Sequence, residues 1–250
     1  MSPGLTHVVL LFLAGVGSGL TGYGAGLASV VSYPALLAVG LSPLVANATN
    51  TAALTGIALG GVGSARQELT GMRSRIVRFG AAGLVGGAVG AGLLVVLPES
   101  VFTAVVPWLV AGGSVVLLLR PWLRRLHGGR WSEHHPLVVV TIGLVAVYGG
   151  YFGAAAGTLV VAVLGLVLTE PLFRITALRA VILGLANLVA TLVFVTRDLV
   201  AWTAMLPLAV GMFLGAALAP RILRRLPDLV VRILVAVAGL GLAAFLLIRP

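Results

Sequence analysis

The stretch Gly19-Leu-Thr-Gly-Tyr-Gly-Ala-Gly26 interrupts the first long apolar run of the chain with four glycines in eight residues. Glycine lets a helix end, or the backbone take a positive φ, without steric cost. A similar stretch, Gly150-Tyr-Phe-Gly-Ala-Ala-Ala-Gly157, follows 131 residues later. The two stretches predict a fold of two related halves, each broken near its start.

The composition identifies lipid as the main solvent of this chain. Of its 250 residues, 60% are hydrophobic and only 9% are charged, whereas a soluble domain carries about 25% charged residues. Too few polar side chains remain to cover a surface that faces water, which excludes a soluble enzyme and a disordered or fibrous chain. The chain has no cysteine, so a disulfide framework and thiol catalysis are excluded as well.

Apolar runs between glycine, proline and arginine positions define the predicted membrane segments. About 20 apolar residues span a bilayer, so the composition predicts about eight to ten membrane helices in an all-α integral membrane protein. The second, sixth and seventh segments are short and are expected to be half-helices or re-entrant hairpins that line a cavity. The segments are 5–21, 24–39, 44–65, 77–97, 101–119, 137–152, 155–169, 174–196, 200–220 and 229–248.

All sixteen basic residues are arginines, and their placement predicts the orientation. Thirteen of them lie on loops that alternate to one side of the predicted helices, and positive loops face the cytoplasm. This distribution favours a topology signal in a multi-pass plasma-membrane protein over a nucleic-acid surface. Both ends of the chain are expected outside. The longest polar stretch, 121–136, is predicted to be a basic cytoplasmic linker.

A second internal match supports the two halves. Residues 84–100 resemble residues 213–229 at an offset of 129, and Leu97-Pro98-Glu99 aligns with Leu226-Pro227-Asp228. The loops 66–78 and 196–199, which correspond in this alignment, are predicted on opposite sides of the membrane. Two related halves of opposite topology are typical of inverted-repeat secondary transporters. We therefore predict one repeat over 1–120 and the other over 137–250, with broken or re-entrant helices.

Three neighbouring motifs in the first half resemble one known family. Gly22-Tyr-Gly-Ala-Gly26 is followed by Pro34-Ala-Leu-Leu-Ala-Val-Gly-Leu-Ser-Pro43 and then by Ala46-Asn-Ala-Thr-Asn50. This order is similar to the N-terminal repeat of the TauE/SafE sulfite exporter, or anion permease, family. The resemblance implies transport of sulfite, sulfonates and other sulfur-containing or carboxylate anions. The second half departs from the family pattern at Ala177-Leu-Arg179, where Ala-Thr-Asn or Gly-Thr-Ser is expected.

The glycine breaks are the first candidate substrate site. A helix that restarts after a break points free N–H groups and the positive end of its dipole at the space before it. Close helix packing through GxxxG spacing is the alternative interpretation, and it is favoured for 83–90 and 211–215. The candidate residues at the breaks are Gly22, Tyr23, Gly24, Gly26, Gly153 and Gly157.

Polar residues inside apolar segments are the second candidate set, because they are costly in lipid without partners. Arg179 is the strongest of them, since a guanidinium suits sulfite, sulfonate or carboxylate oxygens. Snorkelling to the interface and an ion pair with Glu170 are the alternatives for Arg179. The others are Asn47, Thr49, Asn50 and Asn187; for the first two, helix capping and interhelical hydrogen bonds are the alternatives.

The charged residues also indicate what the chain does not bind. All six carboxylates lie in or near loops, so a cation site or a buried carboxylate relay has no obvious carrier. No histidine pair has metal-ligand spacing within a span, and nothing resembles a Walker A loop. We expect no enzyme activity and no cofactor.

These observations predict a secondary transporter that moves a small anion by alternating access. Coupling to protons and assembly into a homo-oligomer are compatible with this hypothesis. The alternatives are a carboxylate permease, an anion channel of the same fold and, least favoured, a membrane scaffold that transports nothing.

Overall fold

The fold was obtained as a computed structural model, and it describes residues 4–125, 132–153 and 155–223, together with 237, 240 and 244. Within these ranges all regular structure is helical. The helices are α1 (Leu5–Ala25), α2 (Ser29–Ala38), α3 (Pro43–Ser64), α4 (Arg73–Val96), α5 (Glu99–Arg125), α6 (Pro136–Tyr151), α7 (Ala156–Val167), α8 (Leu172–Val195) and α9 (Trp202–Leu223).

These helices confirm the first nine predicted segments to within a few residues at most of their ends. The largest difference is α5, which continues to Arg125 and so includes the first residues of the predicted linker. The tenth predicted segment, 229–248, lies outside the described ranges.

Four described helices are long and apolar enough to cross a membrane: Leu5–Ala25, Arg73–Val96, Leu172–Val195 and Trp202–Ala219. The long helix α3 is not among them, because residues 47–51 include four polar side chains. All four of these polar side chains are buried inside the bundle. Helix α3 packs against α8 and α9, and protein rather than lipid surrounds its polar stretch.

Glycines allow the long helices to approach closely. Helix α1 packs against α9, where a Cβ on Gly19 would stand 2.8 Å from Cα of Gly215. Helix α4 packs against α6 and α8, and a Cβ on Gly83 would stand 2.7 Å from the carbonyl oxygen of Ile182 in α8. The packing interpretation of 83–90 and 211–215 is therefore confirmed.

Helices α2 and α7 are too short to cross a bilayer alone. With a rise of 1.5 Å per residue, the ten residues of α2 extend about 15 Å and the twelve of α7 about 18 Å. Each is therefore about as long as half of a 30 Å hydrocarbon core. Each follows a longer helix after a short break.

Candidate functional site

The two glycine breaks meet in the bundle. Gly26, which ends α1, and Gly153, which follows α6, take positive φ values of 80° and 76°. Gly26 also touches the start of α7, since a Cβ on Gly157 would stand 2.7 Å from Cα of Gly26. The hydroxyl of Thr158 donates a 2.6 Å hydrogen bond to the carbonyl oxygen of Ala25. The first residues of α7 are thus fastened to the last residues of α1.

A small cavity lies where these breaks face α3 and α8. Its volume is about 60 Å³, which is room for roughly four to six water molecules. Residues of six helices and of the two breaks line it: Gly22, Gly26, Ala28, Ser29, Leu54, Ile57, Ala58, Gly149, Gly153, Ala156, Gly157, Arg179, Ala180, Leu183, Gly184 and Asn187.

The N-termini of two short helices border this cavity. Ser29 is the first residue of α2 and Ala156 the first of α7, and both line the cavity. Several of their first N–H groups donate to carbonyl oxygens of the breaks, for example Val31 to Ala28 and Ala156 to Gly153. Both N-termini also carry the positive end of the helix dipole. Both N-termini therefore favour negative charge in the space between them.

Arg179 adds a full positive charge to the same wall. Its side chain is buried, with only 4% of the residue exposed, and it lies within α8 next to the cavity. Its Nη2 donates to the carbonyl oxygens of Tyr23 at 2.7 Å and Gly22 at 3.2 Å. These carbonyls belong to the last turn of α1, the negative end of that helix. The burial excludes the snorkelling interpretation.

Asn187 lines the cavity two helical turns beyond Arg179 on α8. Asn187 as a whole is 8% exposed. Its backbone oxygen accepts a hydrogen bond from Thr191, but its side-chain amide has no hydrogen-bond partner within the described part of the chain. A buried amide without a partner costs free energy unless a ligand or water binds it.

The predicted residues on α3 lie elsewhere, in contact with other helices. Asn47 donates to the carbonyl oxygen of Tyr151 at 2.8 Å. Thr49 accepts from the amide of Ala201 at 3.0 Å. These bonds match the interhelical alternative, and neither residue lines the cavity.

Asn50 holds α2 against α3. Its Nδ2 donates to Ser29 at 3.0 Å, and its Oδ1 accepts from Ser32. Asn50 therefore reaches the cavity only through Ser29. Two further predicted residues, Tyr23 and Gly24, belong to the last turn of α1 and also lie outside the lining. The ring of Tyr23 packs against Gly61 of α3, where an added Cβ would stand 3.0 Å from the ring.

Several lining residues were absent from the predicted set. Leu54 and Leu183 correspond at the offset of 129, as do Ala58 and Asn187. Extending the alignment of the two halves along α3 and α8 to apolar positions would have indicated the three that were missed, Leu54, Ala58 and Leu183. Gly149 and Gly184 carry no signal of this kind, because many glycines on these helices only pack.

An ion-pair network joins three loops at one end of the bundle. Arg75, at the start of α4, binds Glu133 at 2.7 Å and Glu170 at 2.8 Å. Arg174, at the start of α8, binds Glu170 at 2.6 Å and the carbonyl oxygen of Thr70 at 2.6 Å. Three of the arginine-rich regions predicted to share one side therefore lie together. Glu170, considered as a partner for Arg179, is bound by Arg75 and Arg174.

This network predicts a pH-dependent stability. The hydrogen bond from Arg75 lowers the pKa of Glu170 from its ordinary 4.5, and the charge of Arg174 adds to the effect. A lowered pKa stabilises the fold above pH 4.5 and loses that effect as the pH falls through the lowered value. We expect Glu170→Gln to lower the free energy of unfolding by about 1–2 kcal/mol at pH 7, and the difference from wild type to shrink below pH 4.5.

Thermal unfolding in detergent at several pH values measures this effect. Glu99→Gln is the matched control, since Glu99 is an exposed carboxylate at the start of α5. Equal unfolding temperatures for wild type and Glu170→Gln at pH 7 would contradict the prediction.

Comparison with known proteins gives consistent results. The family model described as "Sulfite exporter TauE/SafE" matches residues 8–246. Among curated proteins, the chain is 27% identical over 253 residues to "Probable membrane transporter protein YfcA" of Escherichia coli K12, covering 99% of this chain and 91% of that protein. The proteins of the same name from the O6:H1 and O157:H7 strains match equally. No solved structure matches the chain. Because the family model covers nearly its whole length, the chain belongs to the sulfite exporter TauE/SafE family.

Proposed function

We propose that this chain, a membrane transporter by its family, moves a small anion through the cavity between α1, α2, α3, α6, α7 and α8. The observation that carries the proposal is the meeting of two helix N-termini and a buried arginine at one small cavity. Donors and positive charge without a lining carboxylate among the described residues favour an anion over a cation.

The packing supports an inverted repeat with about eight to ten membrane helices. The match between the halves makes α1 to α4 correspond to α6 to α9. Helix α1 packs on α9, and correspondingly α6 packs on α4; helix α3 packs on α9, and α8 on α4. Exchanging the halves leaves this contact pattern unchanged. The cavity then lies at the interface of the repeats 1–120 and 137–250, where alternating access would expose it to each side in turn.

The predicted orientation is part of the same proposal. The end that holds the network of Arg75, Glu133, Glu170 and Arg174 is the cytoplasmic end, with 121–136 as the linker on that side. The protein would lie in the plasma membrane as a multi-pass carrier.

The substrate class is sulfite, an organosulfonate or a related sulfur-containing anion, with carboxylates as the alternative. Arg179 would bind the oxygens of the anion, and the positive ends of the α2 and α7 dipoles would favour its charge. Gly22, Gly26, Gly153 and Gly157 would allow the backbone to approach the anion, and Asn187 would contact its far end. The remaining candidates, Tyr23, Gly24, Asn47, Thr49 and Asn50, would position these groups.

Flux into proteoliposomes tests this function. We expect saturable uptake of sulfite or a sulfonate, and acceleration by substrate placed on the opposite side, because a carrier exchanges its substrates. An imposed proton gradient tests the coupling ion. Flux without saturation or counterflow would indicate a channel, and folded protein without flux of sulfite, sulfonates or carboxylates would overturn the proposal.

Gly149 offers a test of the cavity that leaves the fold intact. A Cβ there would stand 3.5 Å from the Ala156 side chain and 3.7 Å from the Leu183 side chain, which are ordinary contacts. Gly149→Ala should add one methyl group to the cavity, reduce the flux of the largest transported anion several-fold and spare the smallest. Gly92→Ala is the control, since nothing lies within 4 Å of its Cβ position. Equal losses for large and small anions would contradict a role for this cavity in transport.

A further inference from the structure

The cavity has polar groups at its two ends and an apolar wall between them. Along α8, Arg179 forms one polar end of the lining and Asn187 forms the other. These two side chains lie eight residues apart on α8, which is about 12 Å along its axis. The facing helix α3 contributes Leu54, Ile57 and Ala58, none of which has a polar side-chain atom.

This asymmetry follows from the different residues at corresponding positions of the two halves. Asn187 corresponds to Ala58, and Arg179 corresponds to Asn50 at the offset of 129. Asn50 is committed to Ser29 and Ser32 on α2. Both polar side chains that reach the cavity from the paired helices α3 and α8 therefore come from α8, and recognition is not symmetric even if the fold is.

The buried amide of Asn187 is a group without an assigned partner. It is 92% buried by the exposure given above, and no hydrogen bond satisfies its side chain in the described part of the chain. The amide opens on the cavity, so a ligand bound there can form a hydrogen bond with it. A bound molecule that reaches from Arg179 to Asn187 would satisfy it.

We infer that Asn187 is a specificity-determining residue, which selects a short organic anion carrying a second hydrogen-bonding group at the end remote from its charge. This inference rests on the proposed anion transport. The anionic oxygens lie at Arg179. The carbon chain lies against Leu54 and Ile57, and a hydroxyl or amino group meets the amide of Asn187, which both donates and accepts.

The apolar wall disfavours a fully oxygenated anion in the whole cavity. Oxygens that face Leu54 and Ile57 would lose their water and gain no partner, which costs binding free energy. The volume of about 60 Å³ holds roughly four to six non-hydrogen atoms, which matches a hydroxycarboxylate of two or three carbon atoms and is slightly less than a hydroxysulfonate of two.

Matched pairs of substrates test the inference. Ethanesulfonate is compared with 2-hydroxyethanesulfonate, and propionate with 3-hydroxypropionate, by flux into proteoliposomes and by the shift in unfolding temperature on binding. In wild type we expect the hydroxylated member of at least one pair to have a KM about two- to tenfold lower, the factor that one net hydrogen bond provides. The pair that shows the preference identifies the charged group.

Two variants separate the amide from the space that it fills. Asn187→Leu keeps the branched shape of the side chain and removes the hydrogen-bonding groups, and Asn187→Ala removes both. Both should abolish the preference for the hydroxyl group. Thr55→Val is the control, because Thr55 bonds only within α3 to the carbonyl oxygen of Ala52 and does not line the cavity.

The outcomes distinguish the inference from the function on which it rests. Flux of both members with the same KM in wild type, or a preference that survives in both Asn187 variants, overturns the role of Asn187 and leaves anion transport standing. Flux of sulfite without binding of any of the four organic anions overturns the substrate class. Folded wild-type protein that transports no anion overturns the proposed function itself.

Discussion

Replacing Arg179 with alanine is expected to reduce anion flux roughly thirtyfold or more. Truncating one partner of a buried charged contact costs about 2–5 kcal/mol, and in this protein the substrate is the proposed partner. The guanidinium is held at the cavity by the carbonyl oxygens of Gly22 and Tyr23. Its removal therefore takes both the charge and a preoriented donor out of the site.

Two further variants separate recognition of the anion from general effects of charge. Arg179→Lys keeps the charge but loses the planar fork, so we expect flux between those of wild type and alanine. Arg197→Ala removes an exposed arginine from the loop between α8 and α9 and should leave flux unchanged.

Flux into proteoliposomes and the substrate-induced shift in unfolding temperature together give the answer. Loss of both in folded Arg179→Ala protein supports binding at this residue. If the alanine variant does not fold, Arg179→Lys carries the test. Wild-type flux in either variant would show that Arg179 only fastens α8 to the end of α1.

Replacing Gly26 with alanine is expected to prevent the two breaks from meeting. Its φ of 80° is disfavoured for any residue with a Cβ, by about 1–2 kcal/mol. The added methyl group would also stand 2.5 Å from the amide nitrogen of Thr158 and 2.9 Å from Cα of Gly157. These are backbone atoms of α7 that cannot rotate away, and overpacking of this kind typically costs a further 1–3 kcal/mol.

Gly40 provides a matched control for the backbone effect. It has a φ of 89°, and nothing lies within 4 Å of its Cβ position. Gly40→Ala should therefore show only the backbone cost, a small drop in unfolding temperature, whereas Gly26→Ala should give little folded protein. Size-exclusion chromatography and thermal unfolding in detergent measure both. Equal behaviour of the two variants would mean that the contact between Gly26 and α7 does not hold the site together.

Local patterns were sufficient to predict the helices. Runs of apolar residues and the glycine and proline positions between them act within one or two helical turns, which is why nine segments match. Short helices were expected after the first break and around the second, and α2, α6 and α7 have 10, 16 and 12 residues. The glycines of 83–90 and 211–215 were expected to pack and do so, because small side chains on one helical face leave room for a neighbouring helix.

The lining of the cavity was only partly predictable. Of the polar residues on α3, three were expected at the substrate, yet Asn47, Thr49 and Asn50 bond to other helices. A helical pattern indicates which residues share a face, but it does not say which neighbour covers that face. Asn47 bonds to a residue 104 positions away, and Thr49 to one 152 positions away.

The amino-acid sequence by itself determined the helical class, the apolar composition suited to lipid, and the positions of the breaks. These properties depend on composition and on interactions between residues that are near in the chain. Tertiary structure decided that the break at Gly26 touches Gly157, that Arg179 faces the cavity while Asn50 faces α2, and that Glu133 joins Arg75. Each of these depends on contacts between distant segments, which form only when the helices pack.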